Sequence, residues 1–171
     1  MLELAKHNLN SAKITIAQLD NTQIHTLEKK VDIVIEGWSF GHLIVEKQDE
    51  VYKWLHYLDS NIKKLAKQNV VIIETMGTNV NVPTVTNQAL KIMYSFLKDN
   101  GYQKYIIKTD YKFETYEKAA EIMGSFFGEE MEKDIREKKK VIIQEYTGVM
   151  IYTPTTESKA RNTKKKYLFN L

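Results

Sequence analysis

The sequence contains no cysteine, two prolines and seven glycines among its 171 residues. Without cysteine the chain cannot form disulfides, thiolate zinc sites or a cysteine nucleophile, and this composition fits a cytoplasmic protein. No stretch approaches the run of about 18 uncharged apolar residues that spans a membrane, and the opening residues MLELAK lack the pattern of a signal peptide. A membrane is therefore not an expected partner.

Glycine is scarce where nucleotide-binding loops need it. No glycine occurs in the first 36 residues, and no two glycines stand in a G-x-G arrangement. The dinucleotide fingerprint and the P-loop both depend on closely spaced glycines, which let the backbone approach phosphate groups. Both motifs are therefore absent from the sequence.

The charge of the chain is uneven. The formal net charge is +3, but residues 155–171 carry five basic residues and one acidic residue, which leaves 20 basic and 21 acidic residues in the rest. Residues 155–171 are thus a basic tail on a nearly neutral body. Its lysines and aromatic residues could contact RNA, but a solvated chain end is the simpler interpretation, and nucleic acid is not an expected partner.

Two other kinds of site find little support. His7, His25 and His56 show no metal-ligand spacing. The acidic residues of 129–134, followed by the basic run 136–140, are typical of a solvated helix with i,i+4 ion pairs. We expect neither a metal site nor a catalytic carboxylate pair from these residues.

Hydrophobic periodicity predicts alternating strands and helices. We predict strands at 13–19, 31–35, 70–73, 105–109 and 141–152, and helices at 1–8, 48–67, 86–99, 114–127 and 129–140. Short apolar runs between helices are typical of buried parallel strands. The pattern favours one α/β domain over residues 1–154 with a largely parallel sheet.

Polar residues follow four of the predicted strands. The strand ends carry Asp20-Asn21, Glu36 to Ser39, Glu74 to Thr78 and Thr109 to Tyr111. Ligands of parallel α/β sheets bind beyond the carboxyl ends of the strands. Each residue alone has a simpler interpretation, such as a turn or a helix cap, but together they indicate a site.

The same segments resemble the class I S-adenosylmethionine-dependent methyltransferase family, in a bacterial branch. Residues 31–42 end in GWSFGH, which is similar to the branch's GWS-x-GH segment, and residues 73–78 are similar to its ETLGT. Residues 108–114, 126–128 and 145–148 resemble its RTDYxFES, FFFG and ExTG motifs, and all five occur in the same order. The resemblance covers about residues 1–150.

This resemblance implies a three-layer, Rossmann-like methyltransferase sheet, mostly parallel with an antiparallel C-terminal strand. It also implies an N-terminal truncation, because the family's first strand, its glycine-rich loop and its ribose-binding acid would all precede Met1. The interrupted sheet would have exposed edges, through which a homo-oligomer could form.

The resemblance also assigns roles to individual residues. Those matching cofactor-binding positions are Asp20, Asn21, Glu36, Gly37 and Trp38. The methyl-acceptor pocket is matched by Ser39, Thr75 and Glu145, and Trp38, His42 and Tyr111 would also face it. His42 is the candidate general base and Tyr111 the second candidate catalytic residue.

Two functions follow as expectations. The first is methyl transfer from S-adenosylmethionine to a small-molecule acceptor. The second is a catalytically inactive, methyltransferase-like chain that acts as a binding or assembly module. The sequence does not identify the methyl acceptor.

Overall fold

A computed structural model describes Ala5, residues 7–9 and residues 13–154 of the chain. Most of the predicted helix at 1–8 and the whole basic tail at 155–171 lie outside the described residues. Within the described ranges, no helix is long and apolar enough to cross a membrane.

The described residues form an α/β arrangement. The strands are β1 (Val31–Gly37), β2 (Ala66–Thr78), β3 (Gln103–Lys108), β4 (Tyr111–Lys112), β5 (Ile142–Ile143) and β6 (Glu145–Tyr152). The α-helices are α1 (Phe40–Glu46), α2 (Val51–Leu65), α3 (Gln88–Asp99), α4 (Tyr116–Phe127) and α5 (Glu129–Lys138). Short 3-10 helices occupy Asn21–Thr26 and Gln48–Glu50.

Helices α2 and α3 form where the apolar residues recur with helical period. In α2, Leu55, Leu58 and Ile62 are buried on one face, as the sequence predicts. At the start of α3, the Asn87 side chain accepts a hydrogen bond from the Leu90 backbone amide, which caps the helix. Gly101, with a φ of 88°, follows its end, where a left-handed residue commonly stops a helix.

The main sheet has the strand order β1-β2-β6-β3. Strands β1 and β2 pair in parallel, whereas β6 pairs antiparallel with both β2 and β3. The final strand is therefore antiparallel, as predicted. Because it lies between β2 and β3, β1·β2 is the one parallel pairing in the described part of this sheet. The prediction of a largely parallel sheet is therefore wrong, and the sheet is mixed.

One face of the main sheet carries the core. Val70, Ile72 and Met150 are buried against helices α1 to α3. On the opposite face, Ile33 and Ile35 of β1 are 50% and 67% exposed, and Tyr105 and Ile107 of β3 are 51% and 48% exposed. We call these four residues the exposed sheet face. The described residues thus place packed helices on one face and do not show the predicted third layer.

A second apolar cluster lies where α4 and α5 pack against each other. Ala119, Ala120 and Met123 of α4 are buried with Ile135 of α5 and Ile143 of β5. The short β4–β5 ribbon accompanies this cluster and pairs at two positions, Tyr111 with Ile143 and Lys112 with Ile142. This ribbon extends directly from the end of β3.

The predicted strand at 13–19 is wrong. Residues 14–20 adopt no regular secondary structure, and Ile14 and Leu19 remain exposed. Their alternating pattern has no neighbouring strand to pair with, and a strand needs such a partner for its backbone hydrogen bonds. Asp20 therefore precedes a 3-10 helix instead of ending a strand.

Several element boundaries also differ from the prediction. Helix α2 ends at Leu65 and β2 begins at Ala66, so the polar residues Lys67 to Asn69 belong to the strand. The predicted strand at 141–152 is divided into β5 and β6. Helix α1 and strand β4 were not predicted, because both are too short to show a clear hydrophobic period.

Candidate ligand site at the strand ends

Three buried glutamates lie near the end of the sheet where β1 and β2 end and β6 begins, with Glu36 and Glu74 on the helix-covered face and Glu145 on the opposite face. Glu36, Glu74 and Glu145 are 6%, 4% and 4% exposed. Thr78 of β2 pairs with Glu145, which fixes the start of β6 at this edge. We call these three residues the acidic strand-end cluster.

Glu36 organises the turn between β1 and α1. Its Oε1 accepts hydrogen bonds from the Ser39 amide at 2.7 Å, the Ser39 hydroxyl at 2.8 Å and the Phe40 amide at 2.9 Å. These donors include the free amides at the start of α1, where a negative charge is favourable. One carboxylate oxygen is therefore fully engaged in holding the turn.

Glu74 lies beneath α1. Its Oε1 accepts a hydrogen bond from the Gly41 amide at 2.7 Å. Burial, reinforced by the nearby Glu36 carboxylate, raises the pKa of Glu74 from 4.5 to about 7. A β-carbon on Gly41 would lie 2.8 Å from Oε2 of Glu74, so this position of α1 requires glycine.

Tyr94 of α3 connects the cluster to the core. Its hydroxyl donates a hydrogen bond to the Thr75 carbonyl. Burial and the charges of Glu74, Glu36 and Glu145 raise the pKa of Tyr94. Tyr94 therefore stays protonated and lies within electrostatic reach of all three glutamates.

Glu145 is held by contacts on several sides. Its Oε1 accepts a hydrogen bond from the Thr75 hydroxyl at 3.0 Å, and its amide donates to Oδ1 of Asp110 at 3.2 Å. Its carbonyl accepts a hydrogen bond from the Thr109 amide at 2.8 Å. Burial raises the pKa of Glu145, while the hydroxyls of Thr78 and Thr75 lower it less. The side chain is thus fixed and costly to ionise.

Two oxygens of the cluster lack partners. Oε2 of Glu36 and Oε2 of Glu145 are buried without a hydrogen bond. Among the ion pairs of residues 13–154, none includes a member of the acidic strand-end cluster. A buried carboxylate without a cation is unfavourable. The arrangement is therefore suited to a ligand that carries positive charge and hydrogen-bond donors.

Two exposed aromatic residues flank the strand ends. Trp38 is 52% exposed and has a φ of 53°, a left-handed conformation that bulky residues rarely adopt. Tyr111 is 42% exposed, and its ring stacks on Phe113 with centroids 6.5 Å apart. Burial and then the charge of Glu145 raise the pKa of Tyr111. Backbone strain of the Trp38 kind concentrates at functional sites.

Among the described residues before β1, Asn21 contacts the turn between β1 and α1. The Asn21 side chain donates a hydrogen bond to the Ser39 carbonyl at 3.3 Å. Asp20 accepts hydrogen bonds from the amide and hydroxyl of Thr22 at 2.8 Å and 2.6 Å, so it caps the 3-10 helix. These hydrogen bonds lower the pKa of Asp20, which is exposed.

Gly37 and His42 are less constrained. Gly37 is exposed at the end of β1, and a β-carbon there would meet nothing within 4 Å. His42 lies on the exposed face of α1. The structure therefore connects Glu36 with Ser39 on the helix-covered face, and Thr75 with Glu145, close to Tyr111, on the opposite face. It shows no contact that ties His42 to either group among the described residues.

The sequence analysis includes Glu74 among the strand-end residues, because an acid follows the apolar run 70–73, but it assigns Glu74 no individual role. It does not select Gly41 or Tyr94 as site residues. Tyr94 falls within the regular helical pattern of α3, and nothing in its spacing separates it from core residues.

The described residues show no metal centre, and the chain matches no known family model. In residues 13–154, no group of three or more acidic or histidine side chains has the arrangement of a metal site. Comparison with protein-family models and with curated proteins found no match to this chain.

Proposed function

We propose that the chain is an S-adenosylmethionine-dependent methyltransferase acting on a small-molecule acceptor. The observation that carries this proposal is that buried polar residues gather at one end of the sheet, near the exposed Trp38 and Tyr111: Glu36 on the helix-covered face, and Thr75 bonded to Glu145 on the opposite face. These are the residues to which the resemblance assigns cofactor and acceptor binding. The antiparallel last strand is a further feature that the resemblance implies.

The charge of the site suits this cofactor. S-adenosylmethionine carries a sulfonium and an ammonium group, and the acidic strand-end cluster offers buried negative charge without a protein cation. Glu36 would hold the methionine ammonium through its free Oε2, while its Oε1 keeps the β1–α1 turn in place. Gly37 and Trp38 would lie against the same portion, and Asp20 and Asn21 would contact the adenine. When bound, the cofactor supplies an electrophilic methyl group.

The protein contributes mainly positioning. In-line displacement requires the acceptor atom to be aligned with the methyl group, and such alignment supplies much of the acceleration. Thr75 and Glu145 are fixed to each other at 3.0 Å and can orient an acceptor. Tyr111 keeps its phenol proton, so it would act as a hydrogen-bond donor. His42 stays the proposed base for acceptors that must lose a proton.

Isothermal titration with S-adenosylhomocysteine tests the proposal on the full chain. We expect saturable binding that Glu36→Gln weakens, because the neutral amide cannot pair with the ligand's ammonium group. Glu121→Gln removes an exposed acid of α4 and is the matched control. Absence of heat at millimolar ligand, or equal binding by Glu36→Gln, would contradict the proposed cofactor site.

The exposed sheet face favours a second candidate function, assembly with another copy of the chain. Strand pairing aligns Ile33, Ile35, Tyr105 and Ile107 with half-buried Val71, Ile73, Val149 and Ile151, and it places no charged side chain among them. Two such faces can pack together without burying an unpaired charge.

The area of this face is close to what a dimer requires. Taking about 200 Å² for a fully exposed large side chain, the four half-exposed residues present about 400 Å² per copy. Two copies would cover about 800 Å² from these residues alone, and specific interfaces begin at about 1,000 Å². The half-buried neighbours can supply the difference.

Sedimentation tests this second candidate. We expect a concentration-dependent dimer for the native chain and a monomer for Ile35→Lys, which places a charge on the most exposed residue of the face. Val82→Lys changes a residue that is 63% exposed outside the sheet and should leave the dimer intact. A native chain that stays monomeric at all concentrations would rule out assembly through this face.

A further inference from the structure

Glu145 is buried with one carboxylate oxygen unpaired, and pairing within β6 does not require a carboxylate at this position. The side chain is 4% exposed, its Oε1 is bonded to Thr75, and its Oε2 has no partner. The Glu145 backbone is held by the segment after β3, since its carbonyl accepts a hydrogen bond from the Thr109 amide and its amide donates one to the Asp110 carboxylate. Oε2 of Glu145 is therefore fixed in position, and no described residue forms a hydrogen bond with it.

No cationic side chain in the described part of the chain pairs with Oε2 of Glu145. Lys108, two residues from the Asp110 contact, pairs with the Asp110 carboxylate at 3.2 Å. Thr75 and Thr78 provide neutral hydroxyls, which relieve the charge only in part. A buried carboxylate is stabilised most by a donor that is itself positively charged.

The neighbouring Tyr111 ring favours an organic ammonium group over a metal ion as the ligand of Glu145. Tyr111 pairs with Ile143, two residues before Glu145, and it follows Asp110, whose carboxylate accepts a hydrogen bond from the Glu145 amide. Tyr111 and Glu145 are therefore neighbours, and the Tyr111 ring is stacked on Phe113. Aromatic faces attract organic ammonium groups, and a carboxylate beside them supplies the opposing charge. The combination is less suited to a metal ion, which prefers several oxygen ligands.

A path to Glu145 can open at the β4–β5 ribbon. Tyr111 belongs to a strand of two residues, and two residue pairs hold it to β5. Such a short ladder separates at low cost compared with the main sheet. A ligand can therefore reach the free oxygen if Tyr111 moves aside and then packs against it.

We infer that Glu145 and Tyr111 bind a protonated primary or secondary amine, with the ammonium N–H groups on Oε2 of Glu145 and its alkyl portion against the Tyr111 ring. The identification of this amine as the methyl acceptor rests on the proposed function, whereas the ammonium site itself does not. In that reaction the ammonium group would first give a proton to Oε2 of Glu145, and the freed nitrogen lone pair would then form a bond to the methyl carbon as its bond to sulfur breaks, with S-adenosylhomocysteine as the leaving group. The site assigns the unknown acceptor to the class of small alkylamines.

The experiment measures binding of n-propylammonium chloride to the full chain, by chemical-shift titration at constant ionic strength. We expect saturable shifts with n-propylammonium and none with n-propanol, which has the same alkyl chain without the charge. Glu145→Gln keeps the shape of the side chain and should weaken binding about ten- to a hundredfold. Tyr111→Leu should weaken it about two- to fivefold, and Tyr111→Phe should retain it.

Control measurements separate this inference from a general charge effect. Glu121→Gln should bind n-propylammonium as the native chain does, and circular dichroism verifies that each variant is folded. Equal binding by native chain and Glu145→Gln would overturn the inference. So would saturable binding of magnesium at the same residues without a response to n-propylammonium.

The proposed function is tested separately in the same samples. Glu145→Gln should keep its affinity for S-adenosylhomocysteine, whereas Glu36→Gln should lose it. Amine binding without S-adenosylhomocysteine binding would refute the methyltransferase proposal and support the ammonium site. S-adenosylhomocysteine binding without amine binding would refute the ammonium site alone.

Discussion

The contact between Gly41 and Glu74 gives the sharpest prediction about stability. In Gly41→Ala, the new β-carbon would lie 2.8 Å, 2.9 Å and 3.0 Å from Oε2, Oε1 and Cδ of Glu74. Glu74 is 4% exposed, so the carboxylate cannot move freely into solvent. The substitution must therefore displace α1 or break the Gly41–Glu74 hydrogen bond.

The expected cost combines three contributions. Overpacking a buried site costs about 1–3 kcal/mol, and losing a hydrogen bond to a charged group costs about 1.5–3 kcal/mol. Alanine is a better helix former than glycine by about 1 kcal/mol, which offsets part of the loss. We expect Gly41→Ala to lower the free energy of unfolding by about 2–4 kcal/mol.

Urea denaturation followed by circular dichroism measures this change. Gly37→Ala is the matched control, because its β-carbon would meet nothing within 4 Å, and it should change stability by less than about 0.5 kcal/mol. A double-mutant cycle with Glu74→Ala isolates the contact, since that background lacks the obstructing carboxylate. In that background, Gly41→Ala should cost little.

Two results would refute this reasoning. If Gly41→Ala unfolds at the same urea concentration as the native chain, the close approach to Glu74 does not constrain α1. If its cost is the same with and without the Glu74 carboxylate, the strain arises elsewhere in the helix.

Three further predictions follow from the same structure. Because the pKa of Glu74 rises from 4.5 to about 7 on folding, the folded state binds the extra proton between these values. The free energy of unfolding should therefore fall by about 3 kcal/mol as pH rises through this window. Urea titrations at several pH values measure this dependence, and Glu74→Gln should flatten it. An unfolding free energy that rises with pH would contradict the raised pKa of Glu74. Asn87→Ala should cost about 1 kcal/mol by loss of the α3 cap, and an unchanged urea midpoint would argue against that cap. Leu58→Ala, at a 2% exposed site, should lower the free energy of unfolding by about 2–5 kcal/mol in the same assay. Tyr52→Ala, at a 59% exposed site, should lower it much less. Equal losses of stability would contradict the described core.

The sequence pattern predicts the larger elements of this fold well. The period of Leu55, Leu58 and Ile62 identifies α2, and the apolar run at 70–73 identifies the centre of β2. Both signals are strong because burial on one face imposes them. The pattern does not predict that β6 enters the sheet between β2 and β3, since strand order depends on contacts between distant residues.

The site is predictable in position but not in its contacts. Glu36, Thr75 and Glu145 follow from their places at strand ends, and the structure connects the last two directly. Asp20 was expected to end a strand, but the alternation at 13–19 arises without a pairing partner. The role of Gly41 depends on a side chain 33 residues away in the sequence, which no local pattern reveals.

The placement of β6 has a consequence for how the chain folds during synthesis. Its residues, 145–152, lie near the end of the described sequence, yet they pair with both β2 and β3. Until they leave the ribosome, β3 lacks its hydrogen-bonding neighbour and one edge of β2 stays open. Helices α2 and α3 depend on local contacts and can form earlier. Completion of the sheet, and with it the positioning of Glu145, therefore awaits the synthesis of residues 145–152. In the meantime the unpaired β2 edge is exposed to aggregation.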